Sequence, residues 1–133
     1  MEEARNFYHF LEDHDNEEGW LIDKQRVCKA NISAKDLRAV MSLQQKHKAL
    51  EDEMKVRKPK STQITDGGKK LISENHPRST EVQARLETLQ EHWKALEDLV
   101  ELRKRQLEDA AEAYQVGYLE LAITLLSSLL NFH

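Results

Sequence analysis

Between Val82 and Tyr114, apolar residues recur at alternating intervals of four and three. Nine of the ten positions in this series are apolar or aromatic, and only Arg103 interrupts it. The residues between them are mostly charged or polar, and no glycine or proline occurs. Such a narrow apolar line, called a seam below, is typical of helices that pack along one another. The pattern therefore predicts a long helix whose seam other helices must cover.

The two preceding segments show the same spacing with more polar interruptions. In the first, about residues 3–29, the seam carries Phe10, Trp20 and Val27. In the second, about residues 34–74, it carries Leu43, His47, Leu50, Met54 and Leu71. The second helix is expected to begin after Ser33 as its N-cap, with Asp36 adding negative charge near the helix start.

Proline and glycine weaken the middle and end of the second segment. Pro59 removes one helical hydrogen bond, and Gly67 and Gly68 each cost about 1 kcal/mol relative to alanine. We expect one long bent helix here, with local unwinding near Pro59 as the main risk. The sequence Asn-His-Pro at residues 75–77 ends that helix, and Ser79 or Thr80 is expected to cap the next.

Three helices joined by two short connections predict an all-α fold, an antiparallel three-helix bundle with left-handed coiled-coil packing. The predicted helices cover about residues 3–29, 34–74 and 79–116, and residues 1–116 form one domain. The predicted core comprises Phe10, Trp20, Val27, Leu43, His47, Leu50, Met54, Leu71, Leu86, Leu89, Trp93, Leu96, Val100 and Leu107. Arg103 is expected either to extend its charge to solvent or to pair with an acid on a neighbouring helix.

Residues 117–133, called the tail below, differ from the rest of the chain. The tail begins at Gly117, is rich in leucine and has Glu120 as its only residue charged at pH 7. We expect it to be helical but too short to span a bilayer, because no apolar stretch of the chain reaches the ~18 to 20 residues that a membrane-spanning helix needs. Three arrangements remain open: it folds back on the bundle, it continues the third helix as a self-association surface, or it does not order. Its candidate interface residues are Leu121, Leu125, Leu126, Leu129 and Leu130.

Composition narrows the classes of function. Apolar residues make up 39% of the 133 residues and charged residues 33%, which suits thin bundles better than thick cores. The net charge of -4, with both signs interspersed, gives no basic face for nucleic acid. One cysteine, which permits no internal disulfide, suggests a reducing compartment. Acidic residues directly after Met1, instead of a basic and then apolar run, predict that no signal peptide opens the chain.

Candidate chemistry is weak along the whole chain. Residues 13–24 resemble a calcium loop but have Glu18 where glycine is needed and Lys24 where glutamate is needed. The run Gly-Gly-Lys-Lys at residues 67–70 lacks the glycine spacing and the hydroxyl of a phosphate loop. His47, His92 and Cys28 have no evident catalytic partner. We therefore predict no enzymatic activity, no metal and no cofactor.

Several motifs in order resemble the spectrin repeat. Glu-Glu-Gly-Trp-Leu-Ile-Asp-Lys at residues 17–24 is similar to the signature of the first helix of that family. Residues 43–51 and 68–71 are similar to its second helix, and Glu-His-Trp-Lys-Ala-Leu at residues 91–96 resembles its third-helix tryptophan motif. The basic continuation at residues 103–107 also fits. Among relatives, spectrin fits better than dystrophin or α-actinin, and the α subunit fits somewhat better than the β.

The resemblance implies a spacer and scaffold unit of the membrane-associated cytoskeleton, in the cytoplasm, that gives length and elasticity. Its partners would be other spectrin-type repeats or subunits and cytoskeletal proteins, with actin bound only through other regions of a larger protein. A tandem array would continue into another repeat, yet the tail does not look like one. The alternative hypothesis is therefore a protein-binding module that self-associates or docks a partner helix through the apolar tail.

Overall fold

The computed structural model describes the backbone of residues 2–131 and the side chains of residues 5–131. Three helices account for most of this range: α1 (Glu2–Lys29), α2 (Leu37–Ser73) and α3 (Ser79–Leu130). No strand occurs within it. Each helix packs against the other two, and short connections at residues 30–36 and 74–78 join them. The expected three-helix bundle is confirmed.

The core follows the seams of the three helices. Most residues predicted to lie in it are buried: Phe10, His47, Leu50, Leu71, Leu86, Leu89, Trp93, Leu96, Val100 and Leu107. Three others are partly buried: Trp20, Leu43 and Met54. The core also contains buried residues that were not predicted: Phe7, Leu21, Cys28, Val40, Ile64 and Val82.

Val27 is a correction to the predicted core, because its side chain is 49% exposed. The buried line of α1 instead passes through Phe10, His14 and Glu17 to Leu21 and ends at Cys28. This line lies about one position away from the expected one. Two polar residues in its middle hide it in the sequence, because a seam is recognised by its apolar members.

Asp36, and not Ser33, caps α2. Its backbone is extended, and its carboxylate accepts a hydrogen bond from the Ala39 N–H at 2.8 Å. The helix consequently begins at Leu37, three residues later than expected. Aspartate suits this position because it bonds an otherwise unpaired N–H and places negative charge at the positive end of the helix.

Helix α2 continues without a break through Pro59 and both glycines. The expected unwinding near Pro59 does not occur. Pro59 and Lys55 are both exposed, so water can bond to the carbonyl that the proline leaves without a partner. Gly68 is buried, and a Cβ atom there would lie 2.9 Å from both Leu86 Cδ2 and Phe10 Cε1. Glycine at this position lets the three helices approach closely.

The connection between α2 and α3 is a tight turn. Asn75 has a φ of 56°, in the left-handed region where asparagine often ends a helix. The His76 ring stacks on Phe7 with centroids 4.9 Å apart and closes this end of the bundle. The predicted cap of α3 is wrong, because Arg78 is the N-cap residue and makes no side-chain bond. Ser79 is already helical, and its hydroxyl donates to the His76 carbonyl at 2.6 Å.

Helix α3 does not stop near residue 116 but continues through Gly117 to Leu130. Its 52 residues correspond to a length of about 78 Å. Every described residue from Gln115 to Asn131 is exposed, so the tail neither folds back on the bundle nor breaks the helix. Of the three arrangements left open by the sequence, the structure shows a continuation of the third helix.

Candidate functional site

Two tryptophans meet inside the bundle. The ring centroids of Trp20 on α1 and Trp93 on α3 lie 5.8 Å apart, with planes tilted by 40°. The Trp20 indole N–H donates to Oε1 of Glu53 on α2 at 2.7 Å. Arg57 of α2 lies 4.5 Å from the Trp20 ring centroid, and Lys58 lies 4.5 Å from that of Trp93. All three helices therefore contribute to this cluster, which aromatic and cation–π attraction stabilise.

A buried ion pair joins α1 to α2. Glu17 is only 1% exposed, and its Oε1 accepts a hydrogen bond from Nε of Arg57 at 3.0 Å and lies 2.9 Å from Nη2 of the same guanidinium. The other oxygen of Glu17 has no protein partner. A buried carboxylate is costly unless it is paired. The same Arg57 guanidinium also covers Trp20, so it links the ion pair to the aromatic cluster.

A second polar cluster joins α1 to α3. Nε2 of the buried His14 donates to the Arg85 carbonyl at 2.9 Å. The Arg85 guanidinium reaches back to Asp15 at 2.9 Å. One turn further along α1, the Glu18 carboxylate pairs with Nδ1 of His92. These contacts tie side chains of α1 to two positions of α3 that lie about two turns apart.

The backbone of α3 also accepts bonds from side chains of both other helices. His47 on α2 donates from Nε2 to the Val100 carbonyl at 2.9 Å. Gln25 on α1 donates to the His92 carbonyl at 3.1 Å. Each of these bonds has a direction and a fixed partner, unlike apolar packing. Together with the two polar clusters they hold the helices in one register.

Arg103 binds the C-terminal end of α1. Its Nη1 donates to the carbonyls of Ala30 at 2.7 Å and Cys28 at 3.3 Å. Neither expectation for Arg103 is correct, because its partners are backbone carbonyls and not solvent or an acid. A cation stabilises this position because carbonyls without helical partners carry negative charge at a helix C-terminus. Three turns further along α3, the Tyr114 hydroxyl donates to the Ala34 carbonyl of the connection between α1 and α2 at 2.8 Å.

The rejected calcium and phosphate motifs both lie inside helices. Residues 13–24 belong to α1 and residues 67–70 to α2, so neither forms the loop that such a site requires. Among the described residues, no group of three or more potential metal ligands is arranged to hold an ion. Burial raises the pKa of the Cys28 thiol, which disfavours the reactive thiolate. His47 and His92 bond to groups of neighbouring helices and do not face a cleft with a nucleophile.

A model of the spectrin repeat matches residues 5–109, which is most of the chain. The chain belongs to the spectrin repeat family. This repeat is 32% identical over 116 residues to the spectrin beta chain of Drosophila melanogaster. It is 30% identical over 115 residues to the erythrocytic spectrin alpha chain 1 of Mus musculus, and 27% identical to the mouse erythrocytic spectrin beta chain.

These matches cover 86–87% of the chain but only 5% of each relative's length. The relatives include α and β chains at similar identity, so the preference for the α subunit stays a prediction. Membership of the family identifies the chain as a structural repeat of the spectrin type.

The family match ends 21 residues before the last residue of α3. By length and composition alone, an 18-residue window of α3 could cross a membrane, and none of that window is buried. The expectation that no apolar stretch reaches this length is therefore wrong. The five candidate interface leucines of the tail are 56–72% exposed, on a helix that the bundle does not cover.

Proposed function

We propose that this repeat serves as a spacer and scaffold unit in a longer protein of the spectrin type, without an enzymatic role. The observation that carries the proposal is the arrangement of the polar contacts. The buried side chains of Glu17, His14 and Arg103 hold neighbouring helices together and do not line a site for a substrate. A unit of this kind transmits load between its two ends and sets the distance between the parts of the longer protein that it joins.

The family relationship supports a place for the whole protein in the membrane-associated cytoskeleton of the cytoplasm. Its partners there are other spectrin-type repeats or subunits and cytoskeletal proteins, and actin binds through regions outside this repeat. The mixed charge of the chain supports protein partners over nucleic acid. No cofactor is needed for any part of this role.

We further propose that the repeat is elastic and that the middle of α2 opens first under load. No residue of α2 between Leu50 and Ser61 is fully buried, whereas α3 has buried residues at every turn from Val82 to Leu107. Local stability follows buried apolar contacts. Pro59 also removes one hydrogen bond in this stretch.

Optical tweezers with handles at residues 5 and 109 test the spacer role. We expect reversible unfolding with a length gain of roughly 330 Å, because about 105 extended residues replace a bundle some 40–50 Å long. Gradual extension without a cooperative step would contradict the proposal. Hydrogen exchange tests the site of opening: amides at residues 55–58 should exchange before those at 93–100, and the reverse order would refute it.

The alternative function, docking of a protein through the tail, is favoured by one observation. The tail is a helix with no intramolecular cover and large exposed apolar side chains. Apolar surfaces of this kind mark interaction sites in soluble proteins. Both functions can operate in one molecule, since the tail lies outside the closed core.

A further inference from the structure

We infer that the outer side of the second half of α2 docks an acidic helix of another protein. The surface, called the lysine face below, consists of five exposed residues: Lys55, Val56, Lys60, Lys69 and Lys70. It lies on the bundle and is separate from the tail. It goes beyond the spacer role because it gives the repeat a partner of defined chemistry.

Positive charge is concentrated in this part of the chain. Residues 55–70 contain six of the 20 lysines and arginines and a single acid, Asp66. Their net charge is therefore +5, in a chain whose total is -4. The two signs are interspersed in the chain as a whole, but this stretch departs from that pattern.

Most of these cations have no acidic partner in the bundle. Arg57 and Lys58 pair with acids of α1 and α3. The other four are exposed and form no ion pair within residues 5–131: Lys55, Lys60, Lys69 and Lys70. Like charges held close together repel one another, so carboxylates placed among them relieve the repulsion. Complementary charge of this kind selects partners and speeds association.

One partner helix is long enough to reach all four unpaired lysines. At 3.6 residues per turn, Lys55, Lys69 and Lys70 lie within about 100° of the circumference of α2. Lys60 borders this arc on the side of α1. From Lys55 to Lys69 the arc extends for about 21 Å, which a helix of about 14 residues covers. Glutamates at intervals of three and four on such a helix share one side and face the lysines together.

Val56 adds an apolar contact to the lysine face. Its side chain is 77% exposed, the highest value among the large apolar residues that the structure describes. On the helix surface it lies between Lys55 and Lys60. A partner that carries an apolar side chain beside its acids would bury Val56, whereas a partner of carboxylates alone would leave it in water.

Acids on both sides of the lysine face favour a narrow partner over a flat anionic surface. The exposed Asp13 of α1 lines the same groove as Lys60 and Lys70. The exposed Glu87 of α3 lines the same groove as Lys69. An anionic bilayer would approach these acids together with the lysines, whereas a helix about 10 Å wide contacts the lysines alone. The phosphates of a nucleic acid would meet the same repulsion.

Fluorescence anisotropy with a synthetic peptide tests the inference on the full chain. The probe is a labelled alanine-based helix of about 16 residues, with glutamates and one central leucine along one side. The double variant Lys55→Gln with Lys69→Gln removes one cation from each end of the lysine face. It should weaken binding about 2- to 30-fold at low salt, the range for two exposed ion pairs.

The matched control is the double variant Lys46→Gln with Lys104→Gln. It removes the same charge from exposed lysines outside the lysine face and should weaken binding far less. Equal weakening by both double variants, or no binding by the native chain, would overturn the inference. Tighter binding of phosphatidylserine vesicles or of a single-stranded oligonucleotide than of the peptide would also overturn it, because the partner would then not be a protein.

Val56→Ala tests where the partner lies. Alanine has the higher helix propensity, so a loss of binding by this variant does not come from a weaker helix. We expect it to bind the peptide less tightly than the native chain, whereas Met41→Ala, at a 52% exposed position in the first half of α2, should not. Equal effects of the two substitutions would overturn the placement on the lysine face. Tryptophan fluorescence during unfolding reports on Trp20 and Trp93, so failure of the docking inference is distinguishable from failure of the bundle.

Discussion

Arg57 on α2 holds a single oxygen of the Glu17 carboxylate on α1, through a hydrogen bond from Nε at 3.0 Å and an ion-pair contact from Nη2 at 2.9 Å. The pair lies beside Trp20, so a charged contact and an aromatic cluster occupy the same layer of the bundle. Glu17 is almost fully buried, whereas Arg57 retains some exposure. The acid therefore depends on the arginine more than the arginine depends on the acid.

Removing Arg57 should be strongly destabilising. Arg57→Ala leaves Glu17 buried without a partner, and we expect the free energy of unfolding to fall by about 3 kcal/mol in urea titrations. Replacing both residues with leucine should recover much of this loss, because an apolar pair needs no charge compensation. A double variant as unstable as the single one would show that the loss comes from packing against Trp20 and not from the unpaired charge.

The two neighbouring glycines of α2 should respond to alanine in opposite directions. A Cβ at Gly67 meets nothing within 4 Å, whereas one at Gly68 collides with Leu86 and Phe10. Gly67→Ala should stabilise by about 0.5–1 kcal/mol through helix propensity. Gly68→Ala should be about 1–3 kcal/mol less stable than Gly67→Ala because it overpacks the core. Thermal unfolding followed by circular dichroism measures the difference, and equal effects would contradict the close approach at Gly68.

The start of α2 gives a direct test of its cap. Asp36→Ala removes the acceptor of the Ala39 N–H and should lower the free energy of unfolding by about 1 kcal/mol. Ser33→Ala is the matched control and should change stability by less than about 0.5 kcal/mol, since Ser33 is exposed and lies outside the helix. A larger effect at Ser33 than at Asp36 would show that Ser33 is the N-cap of α2, as the sequence predicted.

Burial of Cys28 predicts slow thiol chemistry and a stability that falls at alkaline pH. The pKa of the thiol is raised in the folded chain, chiefly by desolvation. Below an ordinary thiol pKa of about 8.5, both states keep the proton and stability is unaffected. Above it, the unfolded chain releases the proton first, so the free energy of unfolding decreases.

Urea titrations from pH 7 to pH 10 measure this loss, and Cys28→Ala is the control for other groups that titrate there. The native chain should lose more stability over this range than the alanine variant. Ellman's reagent should react slowly with the folded chain and rapidly in urea. Rapid reaction of the folded chain would show that Cys28 is accessible.

Apolar periodicity accounts for much of what could be predicted. The regular seam of α3 predicted Leu86, Leu96 and Leu107 in the core, and all three are buried. The seam of α1 was misplaced because two of its members are His14 and Glu17, which look like part of a solvated acidic face. Their burial depends on Arg85 and Arg57, which lie 71 and 40 residues away along the chain. No local pattern identifies such partners.

The sequence by itself determined the helices and their order, because a seam repeating every seven residues requires neighbouring helices to cover it. The motifs around Trp20 and Trp93, and not the periodicity, carried the resemblance to the family. Only the tertiary structure decided which polar residues are inside, since burying a charge depends on a partner brought close by folding. It also decided that α3 continues through Gly117: a single glycine weakens a helix without dictating a turn. The apolar tail thus extends beyond the bundle as an uncovered helix.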